Sequence, residues 1–176
     1  MPDEKGINGL DIEATRAAIA TVSAQQGASR APKKSRVRWM TGLKFKAQVR
    51  NHTFVVDEPS HLAGDDESPN SMEYVLGAYG ACLATGFVLN ASQRGIVINN
   101  LEVSLESSQD NVFTFFGLSD QEGHPGFDEI KAKLFVQSSA DPAVLREIWQ
   151  RTIDTSPVHN TLVRPVSIQP EIEIFP

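Results

Sequence analysis

The one cysteine of the chain, Cys82, is its single local candidate for chemistry. A cysteine thiolate is a nucleophile that peroxides oxidise, but a buried free cysteine often serves only as a small apolar side chain. Taken alone, the position of Cys82 among glycines and alanines favours the second role. The sequence has no GxSxG, Walker or HExxH motif, and metal-ligand spacing is absent among its histidines, His52, His61, His124 and His159. Neither a metal nor a cofactor is therefore predicted.

The composition limits the class of protein. The 176 residues fit one compact domain. With 40% hydrophobic and 22% charged residues, the chain is not a disordered tail, a collagen-like repeat or a disulfide scaffold. Lys and Arg number 16 against 22 Asp and Glu, and the net charge of −6 disfavours nucleic acid and anionic membranes as partners. A free thiol, in a chain whose first residues lack an apolar leader region, predicts a cytoplasmic location.

The first 35 residues are predicted to be an appendage to the main domain, which spans 36–176. An apolar stripe within residues 1–28 predicts a helix that Asn8 or Asp11 caps. A basic stretch follows up to Arg38. It could bind an anion, but in an acidic chain a solvated linker that enters an edge strand is the favoured interpretation.

Most of the main domain shows the period-two pattern of β-strands. Between Val37 and Val56, apolar residues alternate with lysines, which predicts two paired strands with a solvated lysine face. Residues 101–105 and 130–136 alternate in the same way, and a last strand is predicted near Val166–Ile174. Asp141-Pro142 is a typical helix start and predicts a helix that ends at Thr155 and has one buried apolar stripe.

The most informative element is a long helix between Asn70 and Gly95. Asn70 and Glu73 form an approximate capping box, and no charged residue occurs from Tyr74 to Gln93. This uncharged length reaches that of a membrane span, but the glycines and polar residues within it favour a central helix that other elements enclose. The glycines inside the helix also predict a close contact, either with a neighbouring helix or with the same helix of a second subunit.

The order of these segments resembles the OsmC/Ohr family of osmotically inducible protein C and organic hydroperoxide resistance proteins. The resemblance spans about residues 36–175. It rests on the runs 43–50 and 54–59, on Pro69 through Gly80-Ala81-Cys82, on Pro125–Ile130 and on Ser156-Pro-Val through Val166.

The resemblance implies an α+β fold, in which antiparallel sheets from two intertwined chains of a homodimer wrap central helices. It also implies thiol-dependent reduction of organic hydroperoxides. In that chemistry one cysteine thiolate, here Cys82, attacks the O–O bond and becomes a sulfenic acid, and a second cysteine resolves it as a disulfide. An arginine and a glutamate support the thiolate.

The chain departs from this pattern at the supporting positions. Ser156 stands where the resolving cysteine would be, and its side chain is expected to approach Cys82. Met72 occupies the place of the glutamate; Glu73 is next to it but points to the other side of a regular helix. Arg38 is the nearest arginine by position. The candidate site residues are therefore Cys82, Ser156, Arg38 and Glu73.

Three functions remain open. The chain could be a one-cysteine peroxidase that an external thiol reduces. It could instead be a non-catalytic dimer that binds an apolar small molecule at its interface, with walls from Phe113, Phe115, Phe116 and Phe127. Ordinary core packing is the favoured interpretation of these four side chains. The third function is a structural role that requires only the dimer.

Overall fold

The fold is described from a computed structural model, which covers residues 6–25, 32–117 and 123–175. The helices are α1 (Ile12–Ser23), α2 (Ser71–Gln93), α3 (Val112–Phe115), α4 (Pro142–Thr155) and α5 (Pro157–Leu162). The strands are β1 (Arg36–Thr41), β2 (Lys44–Val49), β3 (His52–Val56), β4 (Asn100–Gln109) and β5 (Phe127–Gln137). All strand pairs are antiparallel, so the predicted α+β class with antiparallel sheets is confirmed.

The first sheet has the order β1-β2-β3 and presents one buried lysine. The apolar alternation is as predicted, with Ala47 buried on the inner face. The prediction of a fully solvated lysine face is wrong for Lys44, which is 9% exposed. Its ammonium lies 2.8 Å from Asp65 and 2.7 Å from Glu67, because the loop after β3 folds back over the start of β2.

A buried carboxylate, Asp57, organises this loop. It accepts backbone N–H groups of Glu58, Asp65 and Glu67. Burial acts to raise the pKa of Asp57, but these backbone donors and the Lys44 ammonium outweigh burial and hold the pKa below its usual value. The carboxylate thereby fixes the segment that leads into the first turn of α2.

The second sheet pairs β4 with β5 along nearly their whole lengths, and its inner face supports α2. Below it, Phe87 and Ala91 of α2 and Ile148 of α4 are completely buried. Side chains that cover this core come from both sheet strands and from α4: Leu101, Leu134, Val136, Val144, Leu145 and Trp149.

The central helix α2 is enclosed on one side only. Its capping box is confirmed: the Asn70 side chain accepts from Glu73 N, and the Glu73 carboxylate accepts from Asn70 N. It contacts α4, β4 and α5, whereas its opposite face is exposed and consists of Gly77, Ala78, Ala81 and Thr85. Within the described ranges, α2 alone is long and apolar enough to cross a membrane, a test that core helices also pass.

The N-terminal helix is confirmed, with Asp11 as its cap. Asn8 has a different role: its side-chain amide donates to Ser92 Oγ and Ile96 O and accepts from Ile98 N. It ties the N-terminal segment to the end of α2. In the basic stretch, Arg30 lies outside the described residues, and Lys33 and Lys34 are exposed.

The prediction of a last strand near Val166–Ile174 is wrong for the single chain. Residues 165–175 form no strand, and Ile168 and Ile172 are 81% and 85% exposed. The apolar alternation that predicts a strand is present, but no strand of the described part of the chain pairs with it. The segment therefore offers apolar side chains and free backbone groups to another partner.

The contact between α2 and α4 gives a stability prediction at Gly86. A Cβ at this position would lie 2.9 Å from Cγ2 of Thr152, whose hydroxyl is fixed by Ile148 O and Asn90. We expect Gly86→Ala to destabilise the protein by about 1–3 kcal/mol, although alanine is the better helix former. Thr152→Ser removes the clashing methyl but keeps the hydroxyl. In denaturant unfolding, the cost of Gly86→Ala should shrink in the Thr152→Ser background; an unchanged cost would contradict this packing.

Candidate functional site

Cys82 and Ser156 meet where α2 passes the junction of α4 and α5. The distance between Cys82 Sγ and Ser156 Oγ is 3.2 Å, so the expected approach of the two side chains is found. Ser156 ends α4 and is the N-cap of α5, with Pro157 in the first turn. The break between the two helices thus turns the serine hydroxyl toward the middle of α2.

The hydroxyl of Ser156 can donate to the sulfur, and the thiol, when protonated, can donate to the hydroxyl. Ser156 is 4% exposed, and its Oγ accepts the backbone N–H of His159 at 3.2 Å. A hydroxyl has one proton to donate, and here that proton remains free to point at Cys82 Sγ. A thiolate can only accept a hydrogen bond, so when Cys82 reacts as a thiolate the Ser156 hydroxyl is the donor of this pair.

A groove of about 640 Å³ opens onto Cys82. The thiol is half-buried on its wall, so a small molecule can reach the sulfur from outside. One cationic side chain, Arg151 of α4, lies among the described lining residues. The remaining walls come from exposed and half-buried positions of α2 and from α4 and α5: Ala78, Ala81, Thr85, Gly86, Leu89, Asn90, Gln93, Thr152, Thr155, Ser156 and Pro157.

A second side-chain pair lies one helical turn away. The Tyr79 hydroxyl is 2.8 Å from His159 Nδ1, and the two rings stack with centroids 5.9 Å apart. Burial, followed by the charge of Cys82, raises the pKa of Tyr79 above its ordinary value. The phenol is therefore protonated at neutral pH and can donate to the imidazole.

The other two predicted site residues lie elsewhere in the single chain. The Glu73 carboxylate is engaged in the capping box, nine residues or about 13 Å along the helix from Cys82. Arg38 is exposed on β1, opposite Lys46 of β2. Neither residue lines the groove at Cys82. The chain brings together Cys82 and Ser156 and leaves Arg38 and Glu73 apart from them.

A separate, mostly apolar cavity of about 390 Å³ lies near the first turn of α2. Two of the four predicted wall residues, Phe115 and Phe116, line it together with Leu62, Met72 and Val112. Phe127 lines a different cavity beside Tyr79 and His159. Phe113 and Phe115 are 55% and 71% exposed, so ordinary core packing is the wrong interpretation for these two side chains.

Tyr79, His159 and Arg151 were not predicted from the sequence as site residues. The spacing of the first two carries a signal, because Tyr79 is three residues before Cys82 and His159 is three residues after Ser156. Once Cys82 and Ser156 face each other on antiparallel helices, residues at these offsets must face each other as well. No comparable signal places Arg151 in the groove, since that depends on the packing angle of α4.

Comparison with known proteins identifies the family to which this fold belongs. The family model described as OsmC-like protein matches residues 64–171. An OsmC-like protein from Mycoplasma pneumoniae has a similar structure, with a TM-score of 0.63, 19% identity, and coverage of 75% of this chain and 87% of that one. No curated protein sequence matches the chain.

Two further similar structures are organic hydroperoxide resistance proteins. One is OsmC from Legionella pneumophila, with a TM-score of 0.54, 12% identity, and coverage of 76% of this chain and 90% of that one. The other is OhrB of Bacillus subtilis, with a TM-score of 0.51, 17% identity, and coverage of 76% and 92%. At such low sequence identities, the similarity of these structures shows a shared fold and nothing further. The family model matches more than half of the residues of this chain, and the chain therefore belongs to the family of OsmC-like proteins.

Proposed function

We propose that this protein reduces organic hydroperoxides through one reactive cysteine, Cys82, with an external thiol as the reductant. The observation that supports this most is the 3.2 Å contact between Cys82 Sγ and the buried hydroxyl of Ser156, at the wall of an open groove. A thiol that served only as a small core side chain would need neither access nor a hydroxyl donor.

The chemistry balances without a second protein cysteine. The Cys82 sulfur attacks one peroxide oxygen and the O–O bond breaks, which gives a sulfenic acid on Cys82 and an alkoxide that takes up the thiol proton to leave as an alcohol. An external thiol then condenses with the sulfenic acid and releases water. A second thiol reduces the mixed disulfide and restores Cys82.

Each neighbouring side chain has a role in this scheme. Ser156 donates a hydrogen bond from its hydroxyl to the thiolate, and it cannot form the resolving disulfide. Arg151 is the cation available in the groove, whereas Arg38 and Glu73 would have to act from a second subunit. The names of the Legionella pneumophila and Bacillus subtilis structures, which refer to organic hydroperoxide resistance, support the substrate class.

The proposal includes a homodimer, with a cytoplasmic location as the sequence predicts. One face of the apolar helix α2 is exposed, the face formed by Gly77, Ala78, Ala81 and Thr85. The unpaired apolar segment 165–175 is exposed too. A second copy of the chain would pack against both surfaces, and the groove at Cys82, which Ala78, Ala81 and Thr85 also line, would then open at the edge of the interface.

The apolar cavity favours one alternative function, the binding of an apolar small molecule without catalysis. Its volume of about 390 Å³ lies in the range of small-molecule sites, and its walls are mostly apolar. A heterogeneous ligand that co-purifies with the protein, together with an inert Cys82, would favour this alternative.

The test is thiol-dependent consumption of an organic hydroperoxide. Wild-type protein should consume cumene hydroperoxide in the presence of a dithiol, and Cys82→Ser should lose all consumption above the protein-free rate. Ser156→Ala, which keeps the nucleophile, should retain part of the rate. Equal consumption by wild-type protein and Cys82→Ser would contradict the proposal.

A further inference from the structure

Two neighbouring side-chain pairs connect α2 to α5. Cys82 of α2 pairs with Ser156 at the start of α5. Tyr79, one turn before Cys82, pairs with His159, which lies about one turn after Ser156. The order of the two contacts, with 79 before 82 on one side and 159 after 156 on the other, is that of antiparallel segments. Both contacts therefore depend on the same distance between α2 and α5.

The contact between Tyr79 and His159 is the stronger of the two. Tyr79 is 7% exposed, its hydroxyl bond to His159 Nδ1 is 2.8 Å long, and the rings stack at an interplanar angle of 26°. By contrast, a thiol is a weak hydrogen-bonding partner, so the Cys82–Ser156 contact by itself does little to hold α5.

Ser156 is tied to the first turn of α5, and its own N–H also bonds Ile153 O at the end of α4. Its Oγ accepts from His159 N, and its carbonyl oxygen accepts from Asn160 N and from the Asn160 side chain. The helix is only six residues long, from Pro157 to Leu162, and cannot be held by a long packed face of its own. Its placement against α2 therefore depends on a few contacts, of which the tyrosine–histidine bond is partly buried and specific.

We propose that Tyr79 and His159 are positioning residues for Cys82: their bond holds α5 so that the Ser156 hydroxyl stays within donor distance of the sulfur. This inference rests on the proposed role of Cys82 as the nucleophile. It adds two residues that act through Ser156 and do not touch the peroxide.

Alkylation of Cys82 by iodoacetamide measures thiol reactivity without any hydroperoxide. The loss of a hydrogen bond to the reacting thiolate should slow alkylation at pH 7 by about two- to tenfold. We expect this for Tyr79→Phe, which keeps the ring, and for His159→Leu. His159→Asn keeps an acceptor close to the place of Nδ1 and should stay near the wild-type rate.

The Ser156→Ala background separates positioning from a general structural effect. Ser156→Ala should itself slow alkylation, and adding Tyr79→Phe should then slow it no further. The proposal would be overturned if Tyr79→Phe reacted at the wild-type rate, or if it slowed the reaction by the same factor with and without Ser156. Circular dichroism confirms that each variant is folded; should Tyr79→Phe unfold, a slower rate for His159→Leu than for His159→Asn supports the proposal, and equal rates overturn it.

The outcome is independent of the proposed peroxidase activity. A Cys82 that never reacts with hydroperoxide would refute that activity, but the alkylation rates would still report whether Tyr79 and His159 position Ser156.

Discussion

Ser156→Cys should convert the protein from one that over-oxidises into one that forms an internal disulfide. The replaced hydroxyl lies 3.2 Å from Cys82 Sγ, so a sulfur at this position needs only a small shift to reach bonding distance. After attack on a peroxide, the new thiol would displace water from the Cys82 sulfenic acid. Without added thiol, a second equivalent of hydroperoxide should oxidise the wild-type sulfenic acid to sulfinic acid, whereas the variant should stop at the disulfide. With a dithiol reductant, the variant should turn over repeatedly.

Ser156→Ala is the matched control for this variant. Both substitutions remove the hydroxyl that caps α5, at a cost of about 1 kcal/mol, but only one introduces a thiol. Mass spectrometry after one equivalent of hydroperoxide should show a loss of two hydrogens in Ser156→Cys alone. Retention of two free thiols after treatment, in a folded Ser156→Cys protein, would mean that Cys82 does not react in this way.

Gly77→Glu should break the proposed homodimer completely. A Cβ at Gly77 would meet nothing within 4 Å in its own chain, so a glutamate there can begin without a clash and is the better helix former. In a dimer that covers this face of α2, the same carboxylate would be buried without a partner. An obligate interface should bury more than about 2,000 Å², and one central buried charge would prevent its formation.

Light scattering at micromolar concentration measures this effect. Wild-type protein should have the mass of a dimer, and Gly77→Glu that of a monomer. Ala143→Glu, at an exposed site in the first turn of α4, adds the same charge away from this face and should stay dimeric. Wild-type protein that is a folded monomer would refute the dimer.

The fold was largely predictable because its signals are local. Strand alternation, the Asp141-Pro142 start of α4 and the Asn70–Glu73 capping box each depend on a few neighbouring residues, and each is present in the structure. The failures concern long-range contacts. Lys44 is buried only because the loop after β3 brings Asp65 and Glu67 to it, and the segment near Ile172 lacks a partner strand in the described part of its own chain.

The site was predictable in part for the same reason. Resemblance to a family pattern predicted that Ser156 approaches Cys82, because the spacing of two helices and their junction determines that contact. It did not place Arg151 in the groove. That placement depends on how α4 packs against α2.

The central claim, that Cys82 is a peroxide-reactive thiol, is tested most directly by the mass of the intact wild-type protein. After one equivalent of cumene hydroperoxide, trapped at once with a sulfenic-acid reagent such as dimedone, the predicted result is one adduct per chain located on Cys82. Cys82→Ser should carry none. An unmodified Cys82 in folded wild-type protein, with the hydroperoxide still present, would contradict the claim and leave the apolar cavity as the better guide to function.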